Sequence, residues 1–426
     1  MRHGLLALAL FAVTREPMFA ESVLGDAEER IIHYEATDGF TDPVARLQKR
    51  LADGTARLKF EAGRGFLPSL LEALRIPVSS QGLVFSKTSS QRDHTNPQTP
   101  RAVYFADDIS VGWVPGGRVI DLISVDPNRG PIFYTLEQSQ EGPPRFRRRA
   151  DCLQCHLGPK TINVPGLLVR SVHTASNGMP VATVAGFVNG HNSALEERWG
   201  GWYVTGTLSG DRHLGNIFVS SPDHPEPADF SAGANVTGLR DRFDTSPYLS
   251  PHSDLVALLV LEHQVRMQNL ITRANYETRY ALDEQNTQAT RTSPDWPQQR
   301  IALAAEPLLE YMLFRNEAPL RGAVKGTSAF AAEFEHSGPR DAKGRSLRQL
   351  DLQTRLSRYP CSFLIHSAAF DALPQEMKTC LWRRLEQILI GQDRSATYST
   401  MTSQDRKDVL EILLETKPEF AAWMRK

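Results

Sequence analysis

The spacing of hydrophobic and polar residues divides the chain into a first half typical of strands and a second half typical of helices. Between residues 82 and 137, short runs rich in β-branched and aromatic residues alternate with turn residues such as Gly, Pro and Asn, which predicts an antiparallel meander. A second β-rich stretch is predicted over residues 166–219. Two short helices are expected before the meander, over residues 42–54 and 66–76, where apolar residues recur at helical spacing.

The helical half begins after a proline-rich segment. Residues 222–252 hold five prolines among polar residues, which predicts a loop or linker. A long helix is predicted over residues 254–281 and a second over 297–317, and helices near 371–391 and 403–424 close the chain. The pattern therefore predicts an α+β fold, with a β-rich N-terminal half in an antiparallel meander and an α-helical C-terminal half.

Composition narrows the class of protein without identifying a function. The chain has 426 residues, of which 41% are hydrophobic and 23% charged, and its 48 Lys and Arg nearly balance its 49 Asp and Glu. These values exclude a disordered chain, a collagen-like chain and a disulfide-dense small protein. They also exclude a globally basic nucleic-acid binder, so no nucleic-acid partner is expected.

The N-terminus has the pattern of a secretory signal peptide. Basic residues precede an apolar run from Leu5 to Val13, which is too short for a bilayer span of about 20 residues but suits a signal h-region. We expect residues 1–20 to be removed; a buried or frayed N-terminal helix is the alternative. No other run approaches membrane-spanning length, so the mature chain is predicted to be soluble, without a transmembrane span, and periplasmic.

The mature chain is expected to consist of two regions. Residues 21–250 form the predicted β-rich region, and residues 251–426 form the helical region that packs on it. Residues 152–156, which form the motif described next, lie inside the first region.

One pentapeptide carries more chemical information than the rest of the chain. Residues 152–156 have the sequence CLQCH, a CxxCH motif, in which two thiols three residues apart can form thioethers to the two vinyl groups of one haem. The next residue, His156, is then placed to bind the iron as the proximal ligand. The motif resembles the haem-attachment site of c-type cytochromes, and the resemblance covers these five residues and the export signal.

This resemblance implies one covalently attached haem c, held by Cys152 and Cys155 with His156 on the iron. The whole chain also resembles large bacterial proteins that contain a cytochrome c domain, a likeness that supplies no known reaction. The implied function is electron transfer with a periplasmic redox partner protein. Two alternatives stay open, namely a haem enzyme acting on a small-molecule oxidant such as peroxide, and a non-catalytic haem sensor or binding protein.

Other chemistries compete for the same pentapeptide. A zinc site using its two cysteines and His156 would need a fourth ligand, and no second CxxC occurs in the chain. A redox-active CxxC is expected in a βαβ context, which the pattern does not predict. A disulfide between Cys152 and Cys155, or a motif without function, completes the alternatives.

The sixth coordination position of the iron needs a ligand unless it is open to small molecules. His263 is the first candidate, because it is the polar member of an apolar stripe with Val256, Val260 and Met267 in the predicted long helix. Its alternative is a buried core histidine with a hydrogen-bond partner. Met267, one turn later, is the second candidate or else plain core. A five-coordinate iron is the remaining alternative, and weaker candidate ligands are His173, Met179, His191, His213, Met312 and His366.

Basic residues directly before the motif are candidates for the surroundings of the haem. Arg147 lies in a cluster with Arg145, Arg148 and Arg149. Because Arg binds carboxylates in a bidentate way, Arg147 is our candidate partner of a haem propionate. A docking patch for an acidic redox partner and a plain solvated strand are the alternatives. After the motif, residues 161–169 are expected to cover one haem edge.

Two further features leave alternatives open. The aromatic cluster of residues 199–203, with the sequence WGGWY, could wall a haem pocket or pack in an ordinary core. Cys361 and Cys380 could form a disulfide, which an oxidising compartment permits, or remain two buried free thiols. No Walker, Rossmann, GxSxG or HExxH signature supports a different enzyme class.

Overall fold

A computed structural model describes the chain apart from its N-terminus and a few short internal stretches. The described residues are 24–181, 186–221, 224–227, 230–287 and 295–426. The predicted signal peptide, residues 1–20, lies outside them. No helix within the described ranges is long and apolar enough to cross a membrane.

The helices lie mainly in the second half of the chain. Those of the first half are α1 (Asp26–Ile32), α2 (Pro43–Ala52), α3 (Leu67–Leu74) and the one-turn α4 (Leu153–His156). Those of the second half are α5 (Leu255–Thr287), α6 (Trp296–Met312), α7 (Phe330–His336), α8 (Ala368–Asp371), α9 (Gln375–Leu389), α10 (Ser403–Thr416) and α11 (Pro418–Trp423). The helices that the pattern predicts are confirmed, with boundaries shifted by a few residues.

The strands lie mainly in the first half. They are β1 (Gly82–Val84), β2 (Arg101–Ala106), β3 (Ile109–Trp113), β4 (Val119–Asp126), β5 (Gly130–Glu137), β6 (Phe146–Arg148), β7 (Arg170–Ser171), β8 (Phe187–Val188), β9 (Trp202–Tyr203), β10 (Gly206–Leu208), β11 (Val219–Ser221), β12 (His224–Pro227) and β13 (Val324–Gly326). Seven of them form an antiparallel sheet in the order β6-β5-β4-β3-β2-β1-β9. The predicted meander is confirmed, and with the helical second half it confirms the α+β fold.

The second β-rich stretch, predicted over residues 166–219, forms much less sheet than expected. Within the described part of it, β9 joins the main sheet, whereas β7 pairs with β8, β10 with β13 and β11 with β12. Its β-branched and aliphatic residues, among them Val172, Val204 and Leu214, are buried without lying in long strands. The stretch does contain strands, but they are short, because β propensity reports a fit to a half-buried surface more than a backbone preference.

One face of the main sheet packs against the N-terminal helices. Tyr104, Leu122 and Leu136 of the sheet share a hydrophobic core with Leu47 of α2 and Leu70 of α3. Each of these side chains is at most 1% exposed, and such burial stabilises the fold by about 1.5–3 kcal/mol for each aliphatic side chain. This core fixes the strands that lie beneath the CxxCH turn.

The long helix α5 lies against the opposite face of the sheet. Phe105 of β2 belongs to the core that α5 shares with α6 and α9. The side-chain amides of Gln264 and Gln268 donate to the carbonyl oxygens of Ala106 and Asp107 at 2.6 and 2.8 Å. The helix is therefore buried around most of its circumference, and not only along the single apolar stripe that the pattern predicts.

Candidate functional site

The CxxCH motif forms a single helical turn after the edge strand β6. Cys152 has helical backbone angles, φ −60° and ψ −29°. Its carbonyl oxygen accepts hydrogen bonds from the N–H groups of Cys155 at 3.1 Å and His156 at 3.0 Å. Residues three apart on a helical turn are neighbours, so the two side chains lie on the same face of the turn. Cys152 is half-buried and Cys155 exposed, and both are free thiols.

Leu153 anchors this turn to the body of the protein. Its side chain is 2% exposed and belongs to the core between the sheet and the N-terminal helices. Arg149 and Asp151 form a two-point ion pair before the turn, with N–O distances of 2.9 and 2.6 Å. Both side chains are substantially solvent-exposed, and such pairs contribute about 0–1 kcal/mol. The apolar anchor therefore contributes most to the position of the motif.

His156 is held in one orientation and one tautomer. Its Nδ1 lies 2.8 Å from the carbonyl oxygen of Gly166, and its ring packs against Phe133 with centroids 4.9 Å apart. A carbonyl oxygen only accepts, so Nδ1 carries the proton and Nε2 carries the lone pair. Nε2 makes no hydrogen bond with any residue that the structure describes. Burial lowers the pKa of the imidazole, so the neutral form, which binds metals, is favoured.

The loop that carries Gly166 is tied to α5. The Gly166 N–H donates back to the His156 carbonyl at 2.9 Å. The amide of Asn269 accepts from the N–H of Leu167 at 2.8 Å and donates to its carbonyl at 2.9 Å. A Cβ at Gly166 would meet Thr161 at 2.7 Å and Asn269 at 2.8 Å. Only glycine therefore lets the backbone approach closely enough to accept from His156.

Charged side chains near the motif influence the pKa values of Cys152 and His156. Burial, followed by the carboxylates of Asp151 and Asp121, raises the pKa of the Cys152 thiol to about 11. Burial has the largest effect on the pKa of the His156 imidazole, followed by the Gly166 hydrogen bond. The charge of Arg101 lowers this pKa and that of Asp121 raises it, both to a smaller extent. Arg101 and Asp121 pair with each other at 3.2 Å.

The residues present fit the haem that the motif implies. Two reduced thiols lie on one face of one turn, and the adjacent imidazole has its Nδ1 occupied and its Nε2 lone pair unused. By contrast, across the described ranges no three His, Cys, Asp or Glu side chains come together in an arrangement that could hold a metal ion. The four-ligand set that a structural zinc needs is therefore not assembled there.

His263 lies in the core of the helical region. Its Nδ1 is 2.8 Å from Nδ1 of His191, and its Nε2 is 2.8 Å from Oγ of Ser362. It stacks on Phe314 with centroids 4.3 Å apart, and burial lowers its pKa to about 3. The geometry is that of a buried histidine with hydrogen-bond partners, because neither ring nitrogen is left for an iron atom.

Met267 is also held away from the motif. The part of α5 that meets the motif's loop is marked by Asn269. Met267 is two residues earlier, about 160° away around the helix, and His263 is six residues earlier, about 120° away. Met267 is fully buried among the helices. The described contacts therefore do not bring either candidate ligand to His156.

The weaker candidate ligands lie at various places in the fold. His191 belongs to the stack with His263 and Tyr311. His213 is buried edge-on to Trp199, and its Nδ1 accepts from the N–H of Gly215 at 3.0 Å. Four more are placed as follows: His366 contacts Thr416, Met312 is buried in the core, Met179 is 50% exposed, and His173 lines a small cavity with Val172 and Leu214.

The basic cluster before the motif divides into structural and exposed residues. Arg148 donates to the carbonyl oxygens of Tyr34 and Ala36 and so ties β6 to the N-terminal segment. Arg147, the candidate propionate partner, has a side chain that is 69% exposed and pairs with Glu137 at 3.4 Å. An exposed pair of this kind is weakly held, which leaves Arg147 on the surface of the protein.

The remaining sequence features lie in the interior. Trp199 and Trp202 are buried in the core around α5, whereas Tyr203 belongs to the core on the other side of the sheet. The indole N–H of Trp202 donates to the carbonyl oxygen of Arg170 at 2.8 Å. The cluster is thus built into the ordinary core. Cys361 is buried and Cys380 half-buried, and both are free thiols.

The sequence pattern does not indicate several residues that surround the motif. Phe133, Asn269, Arg101 and Asp121 come from strands or helices distant in the sequence, and no local pattern marks them. Gly166 carries a weak signal, because a Pro-Gly pair ten residues after the motif indicates a tight approach of the loop, and it lies within the stretch expected to cover the haem.

Comparison with known proteins adds no relative. No family model matches the chain, and neither a curated protein nor a solved structure matches it significantly.

Proposed function

We propose that the protein is an exported c-type cytochrome with a single haem, which exchanges electrons with a periplasmic partner protein. The observation that supports this most is the state of His156. Its Nδ1–H is committed to Gly166, and its Nε2 lone pair stays available one residue after two free thiols. A metal-binding histidine characteristically donates its other N–H in this way, which sets its orientation and raises its basicity.

The residues have separate roles in holding the cofactor. Cys152 and Cys155 would form the thioethers, and His156 would bind the iron through Nε2. Gly166, held by Asn269, keeps the imidazole from rotating. Bound haem supplies a one-electron ferric/ferrous couple, and the hydrogen bond to the proximal histidine is one of the means by which a protein adjusts its potential.

Electron transfer is favoured because the motif lies at the surface. Cys155 is exposed, so a haem attached through it would be accessible from solvent to a docking partner. Arg145, Arg147 and Lys160 flank the motif in sequence and are exposed. An acidic surface on the partner would be attracted by this group, mainly through the rate of association.

Export is part of the same proposal. The apolar run behind a basic N-terminus has signal-peptide character. In the c-type family, haem is attached to CxxCH on the exported side of the bacterial membrane. The proposed periplasmic location and the proposed cofactor therefore support each other.

A second candidate function is a haem enzyme acting on a small oxidant such as peroxide. The observation that favours it is the placement of His263 and Met267, which are held in the helical core by their own neighbours. A sixth position without a protein ligand permits small-molecule chemistry.

Absorption spectroscopy of the full-length protein, produced with haem maturation in the periplasm, tests both functions. Electron transfer predicts a low-spin, six-coordinate spectrum in both redox states that CO does not change. A five-coordinate ferrous iron that binds CO would overturn the carrier function and support the enzyme. The variant with Cys152→Ala and Cys155→Ala serves as the control without thioether attachment.

A further inference from the structure

Arg101 and Asp121 form a partly buried ion pair that spans three strands. Arg101 begins β2 and Asp121 lies on β4, with Gly112 of β3 between them and directly opposite Asp121 in the register. The guanidinium Nη2 is 3.2 Å from Asp121 Oδ2. A Cβ at Gly112 would collide with the guanidinium, so the absence of a side chain there opens the path across the sheet.

Asp121 is held by more than this pair. Its Oδ2 accepts from Nε2 of Gln91 at 2.8 Å and from Oγ of Ser90 at 3.2 Å. The Arg101 side chain is 20% exposed and that of Asp121 is 17% exposed. The carboxylate therefore fixes the guanidinium at a defined place on this face of the sheet.

One donor of this guanidinium is unused. Nε of Arg101 is buried and has no hydrogen-bond partner among the residues that the structure describes. Buried donors without partners are rare in native proteins, because they lose their hydrogen bonds to water. The guanidinium is the group best suited to a planar carboxylate, which would give Nε its missing acceptor.

The ion pair lies on the same sheet face as the motif's histidine. Phe133, on which His156 packs, is opposite Ile123 on β4, and Asp121 is two residues from Ile123. Side chains alternate between faces, so Phe133 and Asp121 are diagonal neighbours on one face, about 7–8 Å apart.

We propose that Arg101 binds a propionate carboxylate of the haem attached at Cys152 and Cys155, and that Asp121 is the positioning residue for its guanidinium. This inference rests on the proposed function, since it requires the covalent haem. It replaces Arg147 in that role, because the Arg147 side chain is 69% exposed. Arg101, by contrast, is held by Asp121 on the sheet face of Phe133, and its buried Nε has no partner among the described residues.

The test compares Arg101→Gln with Arg147→Gln in the full-length, haem-loaded protein. Covalent haem is quantified first, and the reduction potential and the resonance Raman band of the propionates are then recorded. Loss of the Arg101 charge favours the ferric state, so we expect about a tenfold shift of the redox equilibrium, which is 59 mV for a one-electron couple. The propionate band should shift in the Arg101 variant and stay unchanged in the Arg147 variant.

Two more variants protect the test against misfolding and a pure charge effect. Asp121→Asn keeps Arg101 but removes the carboxylate that positions its guanidinium, so the propionate band should move although the charge of Arg101 is still present. Arg101→Lys keeps the charge but loses the planar donor pair. The redox equilibrium should therefore stay within about twofold of wild type, while the propionate band moves.

The outcomes separate the two claims. In one outcome, wild type carries covalent haem while the Arg101→Gln and Arg147→Gln variants share the same potential and propionate band. That result would overturn the propionate site and leave the proposed function standing. A wild-type protein without covalent haem would overturn both.

Discussion

His156 donates its Nδ1–H to the carbonyl oxygen of Gly166 across 2.8 Å, and Gly166 donates its own N–H back to the His156 carbonyl at 2.9 Å. This reciprocal pair joins the last residue of the CxxCH turn to the loop that follows it. It sets the tautomer of the imidazole and leaves Nε2 as its only ring nitrogen with a free lone pair. The fold itself therefore sets the orientation of the imidazole.

The first prediction concerns Asn269, which holds the Gly166 loop. Asn269→Ala removes the partners of both the N–H and the carbonyl of Leu167. Because both backbone groups are buried, we expect the free energy of unfolding in urea to fall by about 1–3 kcal/mol. The exposed amide of Gln98, which bonds Arg242 at 3.4 Å, provides the control, and Gln98→Ala should cost less than about 0.5 kcal/mol. Equal losses in the two variants would contradict the role of Asn269.

The second prediction concerns His263. Its replacement by Ala leaves a cavity and removes the partners of His191 and Ser362, so we expect stability to fall by about 2–4 kcal/mol. The Soret band and the reduction potential of the haem-loaded protein should not change, because both ring nitrogens are already occupied. A shifted Soret band in a folded His263→Ala protein would instead identify His263 as an iron ligand.

The third prediction is a pH dependence from His213. Burial lowers its pKa from 6.5 to about 4, and its Nδ1 accepts from Gly215. The unfolded chain takes up a proton below pH 6.5 while the folded chain resists it, so stability falls between about pH 6.5 and 4 and levels off below. At 1.36 kcal/mol for each pKa unit, this loss is roughly 3 kcal/mol.

His213→Asn keeps an acceptor for Gly215 and removes the titration, so it serves as the matched variant. Buried Glu262, whose pKa is raised to about 7, acts with the opposite sign, because stability falls as the pH rises from 4.5 to 7. It does so in both proteins, so the difference between their urea unfolding curves isolates His213. If wild type and the His213→Asn variant lose the same stability on acidification, His213 is not responsible for the loss.

Local chemistry was predictable from the sequence, and tertiary neighbours were not. The thiols and His156 share one turn, so their spacing alone indicates how they meet. Asn269 is 102 residues from Leu167 in sequence, and no periodicity can pair them. The stripe on α5 indicates that His263 is buried, but its partners lie 72 and 99 residues away. Which neighbour it meets depends on packing that a hydrophobic pattern does not encode.

The same distinction applies to the fold. Each strand from β1 to β5 pairs with the next along the chain, and the connections between β2 and β5 are short turns. Turn residues between apolar runs are therefore enough to predict this meander. β9 joins the sheet beside β1 after more than a hundred intervening residues. Residues 166–219 have the composition of strands throughout. Most of those that the structure describes nevertheless form loops, because packing in the surrounding core determines which of them pair.

The fourth prediction counts thiols. Cys361 and Cys380 are free in the structure, so the denatured haem-loaded protein should present two titratable thiols, with Cys152 and Cys155 consumed by thioethers. The Cys152→Ala/Cys155→Ala variant should also present two. If the denatured variant has no titratable thiol, Cys361 and Cys380 form a disulfide. If denatured wild type has four titratable thiols, no thioether forms.

We propose that Cys152 and Cys155 carry haem covalently, and haem staining on a denaturing gel together with the pyridine haemochrome spectrum measures this attachment. Wild type, exported with haem maturation, should keep its haem through the gel and give the haemochrome band of a thioether-linked haem. The Cys152→Ala/Cys155→Ala variant should lose it. Wild type without stained haem, or a double variant that retains it, would contradict covalent attachment at Cys152 and Cys155.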